Sequence, residues 1–300
     1  MAAVAVVVAV TSTRIAANSD RVGLGWRDAL AAGIFNHLDQ IDLVEVIADD
    51  HFNAPHDQMH ALASLATTVP LTLHGVTLGL ASSIAVAPQR LERMARLVER
   101  LQPVSWSEHL AFVRAGGIEI GHLAAPPRTP ESVAGTLANL ALAAKVVGSL
   151  PLLENIATLI DPPASSMDEA EWISAIVQGS GASMLLDLHN LYANAVNFGH
   201  SPAALLLRLP LHKVKAVHLS GGHWIKQPGG TGRRLLDDHI HDVPTEVFEL
   251  LTLLAQHAPP GLDVIIERDG KFPPFTALLQ QIQQTRLALQ IGRARAQEAA

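Results

Sequence analysis

The sequence predicts an α/β fold of one domain, a (βα)8 TIM barrel over about residues 21–295 with a metal site at the C-terminal ends of its strands. Three observations point to it. Short apolar, β-rich runs alternate eight times with helical segments, and no shift in composition divides the chain. The runs are nearly continuous in apolar residues, as in strands buried on both faces of a parallel sheet. Finally, most runs end in a His, Asp, Asn or Glu, at steps of roughly thirty to forty-five residues, about one strand-plus-helix unit.

Taken in order, Val22-Gly23-Leu24-Gly25-Trp26 is the first strand, with a helical pattern starting at Arg27-Asp28-Ala29-Leu30. Ile41 to Ile47 is the second, closing on Asp49-Asp50-His51. A helix around 56–68 leads to the third, Pro70 to His74. Over 88–101, Leu91, Met94, Leu97, Val98 and Leu101 fall at helical spacing, with Pro88 at the start. The fourth strand reaches Ser107-Glu108-His109, and an Ala/Leu-rich helix covers about 130–148. Strands then end near Glu154, Asp187, His218 and Glu267, with helices near 168–178, 202–208 and 244–257. A last amphipathic helix over about 274–293 carries Leu278, Leu279, Ile282, Leu287 and Ile291. An open doubly wound sheet would want a Gly-rich phosphate fingerprint, and Gly221-Gly222 and Gly229-Gly230 lack that context.

Apolar residues form 49% of the 300 and charged ones 16%, enough for a sizeable core. A net charge of −7, without a basic run, argues against nucleic acid as a partner. Met1 to Val10 is apolar but too short to span a bilayer and lacks a basic n-region. A tail or extra strand is expected over 1–20, and a soluble, cytoplasmic protein without membrane contact. The absence of cysteine excludes thiolate ligands and cysteine nucleophiles and leaves any metal to N and O donors.

Of fifteen histidines, His37, His56, His60, His122, His200, His212 and His257 sit in helix or loop contexts without partners. His74, His109, His218 and His239 instead end or follow apolar strands, where a polar group is either at the barrel mouth or an uncompensated burial. With Glu154, Asp187 and Glu267 in equivalent places, and Asn190 and Asp237 in the loops beside them, the donors exceed what acid–base chemistry needs. They imply more than one metal ion. Asp187-x-x-Asn190 reads either as an Asx turn capping a helix or as two ligands from one loop. Asp237-x-His239 places two donors on one side of an extended loop. Glu267 stays free for metal, because Asp269 offers Arg268 and Lys271 a partner.

His on strands three and four, Glu on five, Asp-x-x-ligand on six, His on seven, Asp-x-His and a final Glu resemble the xylose-isomerase-like and endonuclease IV barrels. More closely, seven strings, within a match spanning about residues 21–272, resemble the multinuclear non-haem iron-dependent oxidative enzymes of methanobactin and 3-thiaglutamate biosynthesis. These are Leu73 to Gly79, Ser107 to Ala111, Leu153-Glu154-Asn155, Leu185 to Tyr192, His218 to His223, Asp237-Asp238-His239 and Ile266 to Asp269.

That resemblance implies two or three iron ions, O2 as co-substrate, a cysteine-containing precursor peptide made by the ribosome, and a partner protein that presents it. By position, His74, His109, Glu154, Asp187, Asn190, His218, Asp237, His239 and Glu267 would hold the irons, with Glu154 as the bridge. Asp269 would be the proton shuttle. His223, Glu108, Asn155 and His189 would support the ligands or, for His223, join them. The chain departs from the family pattern in one extra residue within His218 to His223, in His189 for a usual Asn, and in Asp49-Asp50 after Glu45. A zinc- or manganese-dependent sugar isomerase or phosphodiesterase of the same barrel class is the alternative. A metal-binding protein without catalysis is a further one.

Overall fold

The computed structural model describes residues 19–226 and 232–299. The tail or extra strand expected at the N-terminus therefore lies almost wholly outside the described residues, as do Gly229, Gly230 and Thr231. The described elements run β1 (Arg21–Gly25), α1 (Ala31–Asn36), β2 (Val44–Ile47), α2 (His56–Thr68), β3 (Leu71–Gly75), α3 (Pro88–Leu101) and β4 (Ser105–His109). Next come β5 (Phe112–Ala115), β6 (Ile118–Ala124), α4 (Pro130–Val147), β7 (Leu152–Glu154), α5 (Glu169–Ser180), β8 (Met184–Asp187), α6 (Leu188–Phe198) and α7 (Pro202–Arg208). The chain closes with β9 (Val214–Leu219), β10 (Gly222–Lys226), β11 (Arg233–Asp237), α8 (Thr245–His257), β12 (Asp263–Ile266) and α9 (Phe275–Glu298).

Eight strands, β1, β2, β3, β4, β7, β8, β9 and β12, pair in parallel and close into a barrel. Each has a helix outside it before the next barrel strand, so the predicted (βα)8 TIM barrel stands. Among the described residues, no helix is long and apolar enough to cross a membrane.

Local chemistry sets the helix ends. Thr129 and Asp168 build capping boxes with Ser132 and Glu171, each satisfying two orphan N–H groups. Ser201 caps α7 and Pro202 opens it, where the missing N–H costs nothing. The α3 stripe is as predicted, with Leu91, Met94, Leu97 and Leu101 buried.

Three features depart from expectation. One helix, 202–208, is expected after the sixth strand, but α6 intervenes and starts directly at Asp187. Its Asn- and His-rich face is buried at the barrel mouth, so it carries no simple apolar stripe. Two antiparallel hairpins, β5–β6 and β10–β11, rise from the ends of β4 and β9. Trp224 lies in β10 with the Arg233 guanidinium 5.3 Å over its ring. Finally, α9 runs on to Glu298 and turns Gln281, Thr285, Ala288 and Leu289 inward, leaving Leu287 and Ile291 exposed. Gln281 faces in because its amide accepts from Val243 N–H at 3.1 Å.

Candidate metal centre

Strand register does the first work. In the parallel ladder His109 is level with Glu154, Asp187 with His218, and His74 with Ser107. Donors from separate strands thus meet at one depth inside the mouth. Glu154 lies at the middle. Its Oε2 is 3.4 Å from His74 Nε2 and 3.2 Å from His109 Nε2, and its Oε1 is 3.2 Å from His218 Nδ1. Glu267 follows, its Oε2 3.2 Å from His218 Nδ1 and 3.1 Å from His239 Nδ1. His239 Nε2 reaches Asp237 Oδ2 at 2.9 Å, and Asp237 Oδ1 lies 2.6 Å from His189 Nδ1.

The structure thus gathers all nine predicted donors at one end of the barrel. It adds one the sequence reading passed over: Glu45, buried in β2, whose Oε1 is 2.7 Å from His218 Nε2. A carboxylate inside the run Leu43-Val44-Glu45-Val46-Ile47 was the available signal, since an unpaired charge there is costly. Donor atoms of Glu45, His74 and His218, of His74, His109 and Glu154, and of Glu154, Asp187, His218 and Glu267 form overlapping groups. Within each group the atoms lie within 4.8 Å of one another.

The asparagines and the shell are equally placed. Asp187 both caps and offers a ligand: Oδ1 accepts from Asn190 N–H at 2.7 Å, while Oδ2 stays unpaired. Asn155 clasps the end of β8, donating to the Asp187 carbonyl and accepting its N–H, both at 2.9 Å. Asn190 Nδ2 donates to the Asn155 carbonyl, which leaves its Oδ1 for the centre. Glu108 accepts from the N–H groups of His109 and Leu78. A Cβ at Gly75 would stand 2.7 Å from Glu108 Oε2, so a larger residue there would push that carboxylate aside. Ser107 Oγ donates to the Leu73 carbonyl and lies 2.8 Å from His74 Nδ1, which turns His74 Nε2 toward Glu154.

Asp269 is held otherwise than expected. Its Oδ1 takes the Arg27 guanidinium, and its Oδ2 is 3.5 Å from His239 Nδ1. Arg268 instead binds Asp242 and the carbonyls of Gly270 and Lys271. His239 sits at φ 53°, a left-handed residue just past the end of β11 rather than part of an extended loop. His223 stands apart, exposed on β10 against Asp238.

Burial and charge act against each other here. Burial disfavours charge on His109, but the Glu154 and Glu108 carboxylates outweigh it and hold its pKa at about 9. His218 and His239 are likewise pushed well above the usual value against burial, by Glu267 first. Burial and then the Asp237 charge push Asp187 well up, whereas the His189 and His239 imidazoles beside Asp237 outweigh burial there and hold its pKa at about 2.

Buried atoms without a hydrogen-bond partner concentrate in this cluster: Glu45 Oε1, Glu154 Oε2, Asp187 Oδ2, His189 Nε2, Asn190 Oδ1, His218 Nε2 and His239 Nε2. Buried polar atoms are normally paired, and this set is made of metal-ligand types. The residues fit a cluster of cations. Above it opens a cleft of about 540 Å³, floored by His109, Glu154, Asn190, Asp237 and His239. Its walls include Leu123 and Ala124 of β6, Ile156 to Ile160, Pro162, Pro163 and Leu236 of β11. His122, set aside from sequence, is on that wall because the unforeseen β5–β6 hairpin carries it there.

Comparison with known proteins agrees with this geometry. The chain is 34% identical over 284 residues to a UPF0276 protein of Streptomyces avermitilis, covering 91% of this chain and 56% of that one. It therefore spans little more than half the length of that relative. A UPF0276 protein of Caulobacter vibrioides is 30% identical over 276 residues, covering 91% and 96%. An L-ribulose 3-epimerase structure superposes with a TM-score of 0.61 at 17% identity, over 94% of this chain and 98% of that one. Endonuclease IV of Thermus thermophilus does so with 0.52 at 15%, over 93% and 99%. These two share the barrel. Residues 21–290 match the family described as RiPP precursor modification enzyme MbnB/TglH/ChrH, and the chain belongs to that family.

Proposed function

We propose that this chain is a multinuclear iron, O2-dependent oxidoreductase that modifies cysteine in a ribosomally made precursor peptide, presented by a partner protein. The observation that carries the reading is the ring of unpaired buried N and O donors opening onto a largely apolar cleft. Membership of a family of precursor-peptide modifying enzymes supports the peptide as substrate.

His74, His109 and Glu154 would hold one ion. Glu154, Asp187, His218 and Glu267 would hold a second, and Asn190, Asp237 and His239 a third, with Glu45 beside His218. Iron, when bound, supplies the one-electron and O2 chemistry that no side chain here can perform. The chain's own part is placement. Glu154, with Oε2 beside His74 and His109 and Oε1 beside His218, would serve ions on both sides. The chain has no cysteine, so a thiolate at the centre has to come from the substrate. The apolar walls exclude water around it and orient the peptide. Asp269, half exposed and tied by Arg27, stands where protons pass between His239 and solvent.

A sugar isomerase of this barrel class would rely on a lysine beside the metals. Lys145 lies in the last turn of α4, and Lys213 and Lys215 lie at the opposite end of β9 from His218.

The test is metal content of anaerobically purified protein with Mössbauer spectroscopy on iron-57 material, followed by O2 uptake with a cysteine-bearing peptide. Two or three exchange-coupled irons and peptide-dependent O2 consumption are expected. Zinc or manganese at that stoichiometry, with iron refused when supplied, would overturn the reading in favour of isomerase or hydrolase chemistry.

A further inference from the structure

The loop after β11 alternates. Asp237 and His239 face the buried centre, and Asp238 between them faces outward. There its two oxygens meet two imidazoles from different segments: His223 Nδ1 of β10 at 2.6 Å from Oδ2, and His241 Nδ1 at 2.9 Å from Oδ1. The two rings are 5.2 Å apart and tilted by 42°. The three donor atoms lie within 4.8 Å of one another, and among the described residues this is the one such group away from the buried cluster.

The geometry points to a second, solvent-facing metal site, His223–Asp238–His241, that takes one exchangeable divalent transition ion such as Zn2+, Co2+ or Fe2+. Two imidazoles and one carboxylate are ligands of that class, and three protein donors leave positions for water. The nitrogen–oxygen contacts of 2.6 and 2.9 Å are hydrogen bonds. They would open to about 3.0–3.5 Å around a cation held at about 2.0–2.2 Å, a small turn of the exposed imidazoles. The side chains of His223 and His241 are 44% and 39% exposed, whereas Asp238 is 13% exposed, so an ion is reached from solvent and anchored from below.

The frame is already built. Ile240 N–H donates to Asp238 Oδ1 at 3.1 Å, and His239 N–H to the Gly221 carbonyl at 3.0 Å. Arg268 holds Asp242 at 3.0 Å. A Cβ on Gly221 would collide with the His241 and Asp242 carbonyls, so β10 enters directly against the ligand loop. The site shares that loop with the buried centre yet uses none of its donors, so its occupancy is separable from the proposed iron chemistry.

The experiment adds Co2+ to the protein with its buried centre loaded and follows visible absorption and metal per chain by elemental analysis. Wild type is expected to take up one further equivalent. His241→Ala and His223→Ala should lose it, with the ions of the buried centre still counted in the same samples. Equal uptake by wild type and variants, or none by wild type, overturns the assignment. A second measurement needs no variant: one equivalent of Zn2+ should protect His223 and His241 from diethyl pyrocarbonate, read by peptide mass spectrometry. Undiminished modification of both would equally refute the site.

Discussion

At the scale of the residue, the centre is governed by how unpaired buried donors are kept in place. Glu45 is the sharpest case, a carboxylate with an unpaired oxygen 2.7 Å from a histidine nitrogen that is unpaired as well. Glu45→Gln is expected to weaken retention of the ion nearest His218 at least about tenfold, read as metal per chain after dialysis against a weak chelator. Ser107→Ala frees the His74 ring and should cost about 10–100-fold in metal affinity without removing a ligand. Because the metal-free His109 holds its proton to about pH 9, an ion has to displace it. Apparent affinity should therefore rise with pH by up to about tenfold per unit below that value, and titration at several pH values checks the slope.

At the scale of the element, the strands are legible where chemistry is local, and the mouth is not. Caps and breakers set α3 and α7 at the expected residues, since Pro88, Pro202 and Ser201 act on their own neighbours. The hairpins escaped notice because their strands pair only with each other and expose much of their length, so neither burial nor periodicity marks them. The β3–α3 loop shows how a helix secures the mouth. Asn139 of α4 donates to the carbonyls of Leu80, Ser82 and Ile84 and accepts from Val86 N–H. Asn139→Ala should cost about 2–4 kcal/mol, measurable by denaturant unfolding of metal-free protein, because the loop loses its shared partner while buried.

At the scale of the molecule, the barrel must join its first strand to its last, and Asp20 is at that seam. It accepts from the N–H groups of Gly261 and Leu262 before β12 and from Arg293 of α9. Burial opposes its charge, but Arg293 and the backbone donors outweigh it and lower its pKa below the ordinary 3.8. A depressed carboxylate stabilises the fold above its ordinary value, and that contribution fades as pH falls through the lower folded value. Asp20→Asn should accordingly lower stability at neutral pH and flatten the acid limb of the unfolding curve. Chemical denaturation across about pH 2 to 6, on both sides of the ordinary carboxylate value, would show it.

The sequence by itself determined the barrel, its eight strand–helix units and the level of its donors, because periodicity, caps and strand ends are encoded within a few residues of one another. It also marked nine positions that converge in space. Tertiary structure alone decided that Glu45 joins them, that Arg27 rather than Arg268 holds Asp269, and that His122 walls the cleft. It decided as well that His223 turns to Asp238 and His241. Each of these rests on which way a side chain points across the barrel or hairpin, and that depends on register between segments tens to hundreds of residues apart.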